Sequence, residues 1–335
     1  MTRTLLIDEY YMHRALSLAW RGRTSPNPRV GCVIVKDGTV VGEGWHKARG
    51  CPHAEVEAIG NAPEDDLRGA TAYVTLEPCS HYGLTPPCAP RLAEAGIRRV
   101  VAGCLDPDPR VSGRGVKILQ DAGVEVSIPC LEAECRWINR GFIKSQTLGR
   151  PWVTLKAAAG LDGKLALPNG ASKWITGASA RTAAQLMRAE HDAVLVGAGT
   201  VLADNPKLTV RDAPGESPIR VVLDAHNSIP PDAAVRPCLI MGGELTSVLS
   251  DLNDRGIRSV LVEGGAKVLS SFIEAKLCDS LALFRAASVM GSGPSFADGV
   301  VIDSMGSAVR LRNTRCRRIG EDFLIEGTFD WCSQD

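Results

Sequence analysis

The sequence predicts an α/β protein of two domains. Three observations carry that expectation. At 335 residues the chain is longer than one ordinary domain. Strand-like apolar runs alternate with helix-period segments along it. The alternation breaks at SQTLGRP (145–151), a polar stretch with Gly and Pro, and then restarts.

Taken in order, EYYMHRALSLAW (9–20) has helical apolar spacing. VGCVIV (30–35) and VVGEGW (40–45) read as strands joined at the KDG turn (36–38), a hairpin. AEVEAIGNA (54–62) reads as a helix and TAYVTL (71–76) as a strand. PCAPRLAEAG (87–96) is a helix that Gly96 ends, followed by the strand RRVVAG (98–103). GRGVKILQDAG (113–123) and VEVSI (124–128) repeat the helix–strand pair, so an α/β sandwich is expected. Beyond the break, strands are predicted at 152–159, 193–199, 219–224 and 258–265, with helices at 179–190 and 266–276. No repeat relates the halves, and no segment is of low complexity.

Bulk properties exclude several functions. Charges balance at 38 Lys+Arg and 38 Asp+Glu, and aromatic residues make up only 5%, so neither a basic nucleic-acid surface nor a base-stacking platform is expected. No apolar run approaches the roughly 20 residues that span a bilayer. Asp8, Glu9 and His13 interrupt the first segment, which lacks the apolar stretch of a signal peptide, so a cytoplasmic location is expected. In a reducing compartment most of the 11 cysteines are small buried apolar residues; Cys32, Cys104, Cys130 and Cys238 fit that reading.

Cys79 and Cys88 differ because they flank a loop, EPCSHYGLTPPCAP (77–90). Taken alone, they are a disulfide, two unrelated thiols, or part of a metal site. His53 adds an imidazole, and His with two thiolates is a zinc ligand set that leaves a fourth position open, as catalytic sites do. His53 would open one helix, and the cysteines would lie at or near the start of another, where helix N-termini favour thiolates. Glu55 follows His53 by two residues and could serve as a proton carrier beside the metal. His-x-Glu with Pro-Cys and a second Cys is the pattern of zinc nucleobase deaminases.

PNPRVGCVIV (26–35), GEGWH (42–46), HAEVEAI (53–59), TLEPCSHYGLTPPC (75–88) and DPDPRVSGRG (106–115) closely resemble the pyrimidine deaminase domain of the bifunctional riboflavin-biosynthesis deaminase/reductases. The resemblance implies a cytidine-deaminase-like αβα sandwich, a deaminase domain over residues 1–146, zinc held by His53, Cys79 and Cys88, and Glu55 as the proton shuttle. It also turns Asn27 and His46 toward substrate, although Asn27 could equally form an Asx turn and His46 could simply end its strand. Leu84 departs from the family, which carries Lys or Arg there. Either the phosphorylated substrate binds more weakly, or another cation such as Lys47, Arg49 or Arg110 takes that role.

In the second half, VEGG (262–265) ends a strand and opens a helix, where phosphate can approach the backbone; it is not a dinucleotide fingerprint. LKAAAGLDGKLA (155–166), SKWIT (172–176), GAGTVLADNPKLTVR (197–211) and VLVEGGAKV (260–268) resemble the reductase domain of the same family. That implies a dihydrofolate-reductase-like α/β domain over residues 150–335 that uses NADPH. By matched position, Ala158, Trp174, Thr200, Asp204 and the run Gly265, Ala266, Lys267, Val268, Leu269, Ser270 and Ser271 are implied cofactor contacts. Ser172, Arg188, Leu208, Arg211 and Glu263 are implied substrate contacts. Arg188 and Arg211 can fork onto a phosphate, Glu263 can bond sugar hydroxyls, and Trp174 can cover a flat ring.

The expected reaction is hydrolytic deamination of 2,5-diamino-6-ribosylamino-4(3H)-pyrimidinone 5′-phosphate, then reduction of its ribosyl group to ribityl. Expected partners are this small molecule and further copies of the chain, with no nucleic acid and no membrane. A stand-alone nucleotide or tRNA deaminase with a non-catalytic second domain is the alternative.

Overall fold

The computed structural model describes residues 3–83, 85–108 and 111–332. The chain divides into two compact units, Met1–Gly149 and Arg150–Asp335.

In the first unit, α1 (Arg3–Ala19) precedes a hairpin of β1 (Gly31–Lys36) and β2 (Thr39–Trp45). Asp37 and Gly38 are left-handed (φ 50° and 79°), the two-residue turn that an Asp-Gly pair favours. Then follow α2 (Ala54–Gly60), α3 (Glu64–Leu67), β3 (Thr71–Val74), α4 (Cys88–Glu94), β4 (Arg99–Ala102), α5 (Arg114–Asp121), β5 (Glu125–Ser127), α6 (Glu132–Ile138) and α7 (Arg140–Leu148). The sheet order is β2-β1-β3-β4-β5, with β1 antiparallel to both neighbours and β3 to β5 parallel.

Cys32 and Ile34 of β1 pack on one side with residues of α2, α4 and α5, and Val33 and Val35 pack on the other with residues of α1 and α6. Burial on both faces makes this strand an unbroken apolar run rather than an alternating one. The result is an αβα sandwich. Gly42 and Gly44 bring α2 down onto β2: a Cβ on Gly44 would lie 2.4 Å from the Ala54 carbonyl oxygen. That close seat fixes where α2 begins, and His53 is its N-cap.

Two expectations change here. α1 starts six residues earlier than predicted, because its first turns carry exposed Leu5 and Leu6 and no buried stripe. The stretch 145–148, predicted as a polar break, continues α7 and ends at Gly149 in the left-handed region (φ 64°).

The second unit contains β6 (Trp152–Ala159), α8 (Ala178–Glu190), β7 (Ala193–Gly197), α9 (Ala198–Asp204), β8 (Ile219–Leu223), β9 (Leu239–Met241), α10 (Leu245–Asp254), β10 (Ser259–Val262), α11 (Ala266–Glu274), β11 (Ser280–Arg285), β12 (Leu311–Ile319) and β13 (Asp322–Phe329). Its sheet runs β12-β13-β11-β6-β10-β7-β8-β9, parallel from β11 to β9 and closed at one side by the antiparallel β12–β13 hairpin. The predicted strand 193–199 stops at Gly197 and turns directly into α9. The sequence signal missed β12 because its residues are half-buried or exposed and it carries four arginines, so no apolar face exists to detect. Among the described residues no helix is long and apolar enough to cross a membrane.

Candidate functional site

His53 at the start of α2, Cys88 at the start of α4 and Cys79 in the loop after β3 converge. One ligand atom of each lies within 4.8 Å of the others. His53 Nδ1 is 3.5 Å from Cys79 Sγ and 3.3 Å from Cys88 Sγ. The other ring nitrogen, Nε2, is 3.1 Å from the Thr85 hydroxyl, which as acceptor leaves the Nδ1 lone pair toward the thiols. The backbone N–H of Cys88 donates to Cys79 Sγ (3.3 Å). All 11 cysteines are free, so no disulfide joins this pair.

The electrostatics fit a divalent ion. The hydrogen bond from Cys88, aided by His53, pulls the Cys79 thiol down to about 4. Cys88 is driven up by its bond to Cys79 and by burial. One thiolate thus forms readily, and a second beside it requires a cation. Two sulfurs and an imidazole are the donor set that zinc takes when one position stays open.

Glu55 lies in the first turn of α2 and is buried. Burial, with the charge of Cys79, pushes its carboxyl up to about 7. It shares a cavity of about 350 Å³ with His53, Cys79, Asn27 and His46. Asn27 Nδ2 donates to His46 Nε2 (3.3 Å), and His46 Nδ1 donates to the Pro52 carbonyl (3.1 Å), so both side chains are fixed in the cavity wall. Of the cations weighed against Leu84, Arg49 lines this cavity. Lys47 is instead paired with Glu57 (2.8 Å) beside the Trp45 ring. Leu84 and Arg110 lie outside the described residues. The wall also contains Glu77 and Asp106, which carried no assignment in the sequence; burial pushes Asp106 up to about 6.

In the second unit, a charged cluster sits where β6 and β10 run side by side. Arg188 of α8 forks onto Glu263 (Nε–Oε1 2.6 Å, Nη2–Oε2 2.9 Å), and Lys156 of β6 adds a third contact (3.2 Å). Burial alone would raise Glu263, but Lys156 and Arg188 hold it at about 2. Arg188 also donates to the Thr209 carbonyl (3.1 Å), so its fork is engaged inside the protein rather than turned to an open phosphate site. Lys156 went unassigned in the sequence, although a lysine inside the apolar strand WVTLKAAA was a visible signal.

The remaining residues separate by environment. Gly265 caps α11, and an added Cβ there would lie 3.8 Å from Thr200 Oγ1, so the α11 start and α9 adjoin. Lys173 pairs with Asp204 (3.2 Å), which sets Trp174, 69% exposed and under the Arg181 guanidinium, near the same helix. Ala158 shares the half-buried face of β6 with Lys156. Ser172 is half-buried, and Arg211 is exposed with its N–H on Gln185.

Three side chains point elsewhere than expected. Leu208 is in the core with Val194 and Val222, and Leu269 packs into the main core of the unit. Ser270 is buried and donates to the Asp298 carbonyl. A helix exposes only part of its circumference, so consecutive positions Gly265 to Ser271 cannot all face a ligand.

Comparison with known proteins gives a consistent result. Residues 6–104 match the cytidine and deoxycytidylate deaminase zinc-binding region, and residues 151–325 match the RibD C-terminal domain. The riboflavin biosynthesis protein RibD of Aquifex aeolicus is 42% identical over 95% of this chain and 98% of its own length. That of Escherichia coli is 41% identical with the same coverage. Among solved structures, Acinetobacter baumannii RibD superposes with a TM-score of 0.90 at 38% identity, covering 97% of this chain and 99% of that one. A Thermotoga maritima diaminohydroxyphosphoribosylaminopyrimidine deaminase/5-amino-6-(5-phosphoribosylamino)uracil reductase gives 0.89 at 40%, covering 98% and 100%. With matches in both units and near-complete coverage in both directions, the chain belongs to the RibD family of riboflavin-biosynthesis proteins.

Proposed function

We propose that the cavity beside His53, Cys79 and Cys88 is the deaminase site of a bifunctional riboflavin-biosynthesis enzyme, and that the β6–β10 cluster borders its reductase site. The observation that carries the first assignment is the convergence of three ligand atoms within 4.8 Å beside a buried Glu55. Zinc, when bound there, supplies the Lewis acidity that activates a water. Glu55 takes a proton from that water and delivers it to the departing amine; a carboxyl near neutral suits both roles. Asn27 and His46 orient the pyrimidine. The pathway step is deamination of 2,5-diamino-6-ribosylamino-4(3H)-pyrimidinone 5′-phosphate.

In the second unit NADPH supplies hydride to the ribosyl carbon. The first turn of α11, with Gly265 to Val268, Thr200, Asp204 and Trp174, receives the cofactor. Arg188 and Lys156 keep Glu263 ionised, ready to accept from sugar hydroxyls, and Ser172 and Arg211 complete the substrate side. The domain division at 146–150, the cytoplasmic location and self-association belong to the same reading. Incubation with the diaminopyrimidine substrate tests it: mass analysis should show the deaminated ribosyl product without NADPH and the ribityl product with it. Absence of the first product sinks the deaminase assignment; absence of the second sinks the reductase assignment.

Two variants test individual residues. Cys88→Ser should lower zinc affinity by more than about tenfold, because a hydroxyl replaces a thiolate donor. Unchanged zinc content after dialysis removes Cys88 from the ligand set. Arg49→Ala should raise the deaminase KM about tenfold at unchanged kcat and zinc content, by loss of a charge-assisted bond to the substrate phosphate. An unaltered KM assigns the phosphate to another cation.

A further inference from the structure

Glu77 is 3% exposed and forms part of the cavity wall. Its carboxylate accepts four backbone N–H groups: Oε1 takes those of Gly115 (2.9 Å) and Val116 (3.2 Å), and Oε2 takes those of Gly113 (3.0 Å) and Asp106 (3.1 Å). Three of the four belong to the start of α5, whose N-cap is Gly113, a residue with no side chain to cap it. Glu77 therefore fills from a distant element the place that Ser or Asp would fill locally. Its charge is favourable there, because the exposed N–H groups of a helix start carry partial positive charge.

Gly115 supports the same contact independently. A Cβ at Gly115 would lie 2.0 Å from the Pro78 carbonyl oxygen and 3.1 Å from Glu77 Oε1. Only glycine lets α5 approach this closely. Pro78 is followed directly by Cys79, and the clasped segment contributes Asp106, Asp108 and Val111 to the cavity. One carboxylate thus joins the loop that carries Cys79 to the segment that supplies Asp106, Asp108 and Val111 to the wall.

We propose that Glu77 is a positioning residue of the deaminase site: it sets the wall formed by Asp106, Asp108 and Val111 at a fixed distance from the cysteine loop, and thereby sets substrate affinity. The inference rests on the deaminase reading of this cavity. Glu77→Gln presents an NH₂ where one oxygen accepted two N–H groups, so the wall loosens without a change in side-chain size.

The full-length zinc-loaded protein decides the matter. Glu77→Gln should raise the deaminase KM about tenfold, with kcat lowered less than about threefold and zinc content unchanged. Glu77→Asp, which keeps the charge, should recover part of the KM. Amide hydrogen exchange on the unmodified protein adds a reading that does not depend on the variants folding: Gly113, Gly115 and Val116 should be protected relative to exposed loop amides. Fast exchange at these three overturns the proposal. So does an unaltered KM in Glu77→Gln, or loss of zinc from it, which would make Glu77 a support of the metal loop alone. If the unmodified chain fails to deaminate, the deaminase reading itself falls; turnover with an unaltered variant KM removes only the role of Glu77.

Discussion

Glu55→Gln is expected to lower deaminase kcat by about 10³-fold while the protein keeps its zinc. The substitution preserves size in a buried site and removes the group that titrates. Glu55 hydrogen-bonds the Cys88 thiol but is not one of the three convergent ligand groups, and Gln keeps a hydrogen-bonding side chain at that place, so metal content should not change. Its position in the first unit also leaves the reductase reaction, measured with the deaminated intermediate and NADPH, at its normal rate. Metal analysis and two separate assays distinguish the outcomes. A kcat within tenfold of normal would exclude Glu55 as the proton carrier, and loss of zinc would make it a ligand instead. The environment favours the carrier role. Burial and the Cys79 charge push the carboxyl up to about 7, whereas an exposed carboxyl would stay ionised and hold no proton to give.

Arg188→Ala is expected to destabilise the second unit by about 3 kcal/mol, because it strips a buried carboxylate of its forked partner. The Glu263 side chain is only 6% exposed and would keep Lys156 alone at 3.2 Å. For a unit of this size the corresponding fall in Tm is about 10 °C, readable by calorimetry of the full-length protein. Arg188→Lys should not restore it, since an ammonium cannot reproduce the two-point contact.

The pH dependence follows from the same cluster. Glu263 is held at about 2 in the fold, below the 4.5 of a free Glu side chain. Its ionised form therefore stabilises the folded state at pH above about 4.5, and that contribution disappears as pH falls toward 2. In Arg188→Ala the contribution should shrink and its window narrow from the low-pH end, because one of the two cations that depress Glu263 is gone. Superimposable acid-unfolding curves would show that the cluster does not govern acid stability.

Long apolar strands such as VGCVIV and WVTLKAAA were legible because both faces are buried, and burial writes itself into composition. The edge strand β12 was not, since arginines on a solvent-facing strand leave no periodic trace. The metal centre was legible for a different reason. Three of its four groups are tied to a local landmark: His53 to the start of α2, Cys88 to the start of α4, and Glu55 to the first turn after His53.

The sequence by itself determined the two-unit α/β organisation and marked His53, Cys79, Cys88 and Glu55 as candidates, through residue type, motif and family resemblance. Only the tertiary structure decided that Arg49 rather than Lys47 reaches the cavity, and that Lys156 joins Arg188 on Glu263. It likewise buried Leu208, Leu269 and Ser270, and made Glu77 the cap of a helix 36 to 39 residues away. The physical reason is the same in each case. A side chain's partner across a sheet or between two loops is set by how elements pack, and no local periodicity encodes that choice.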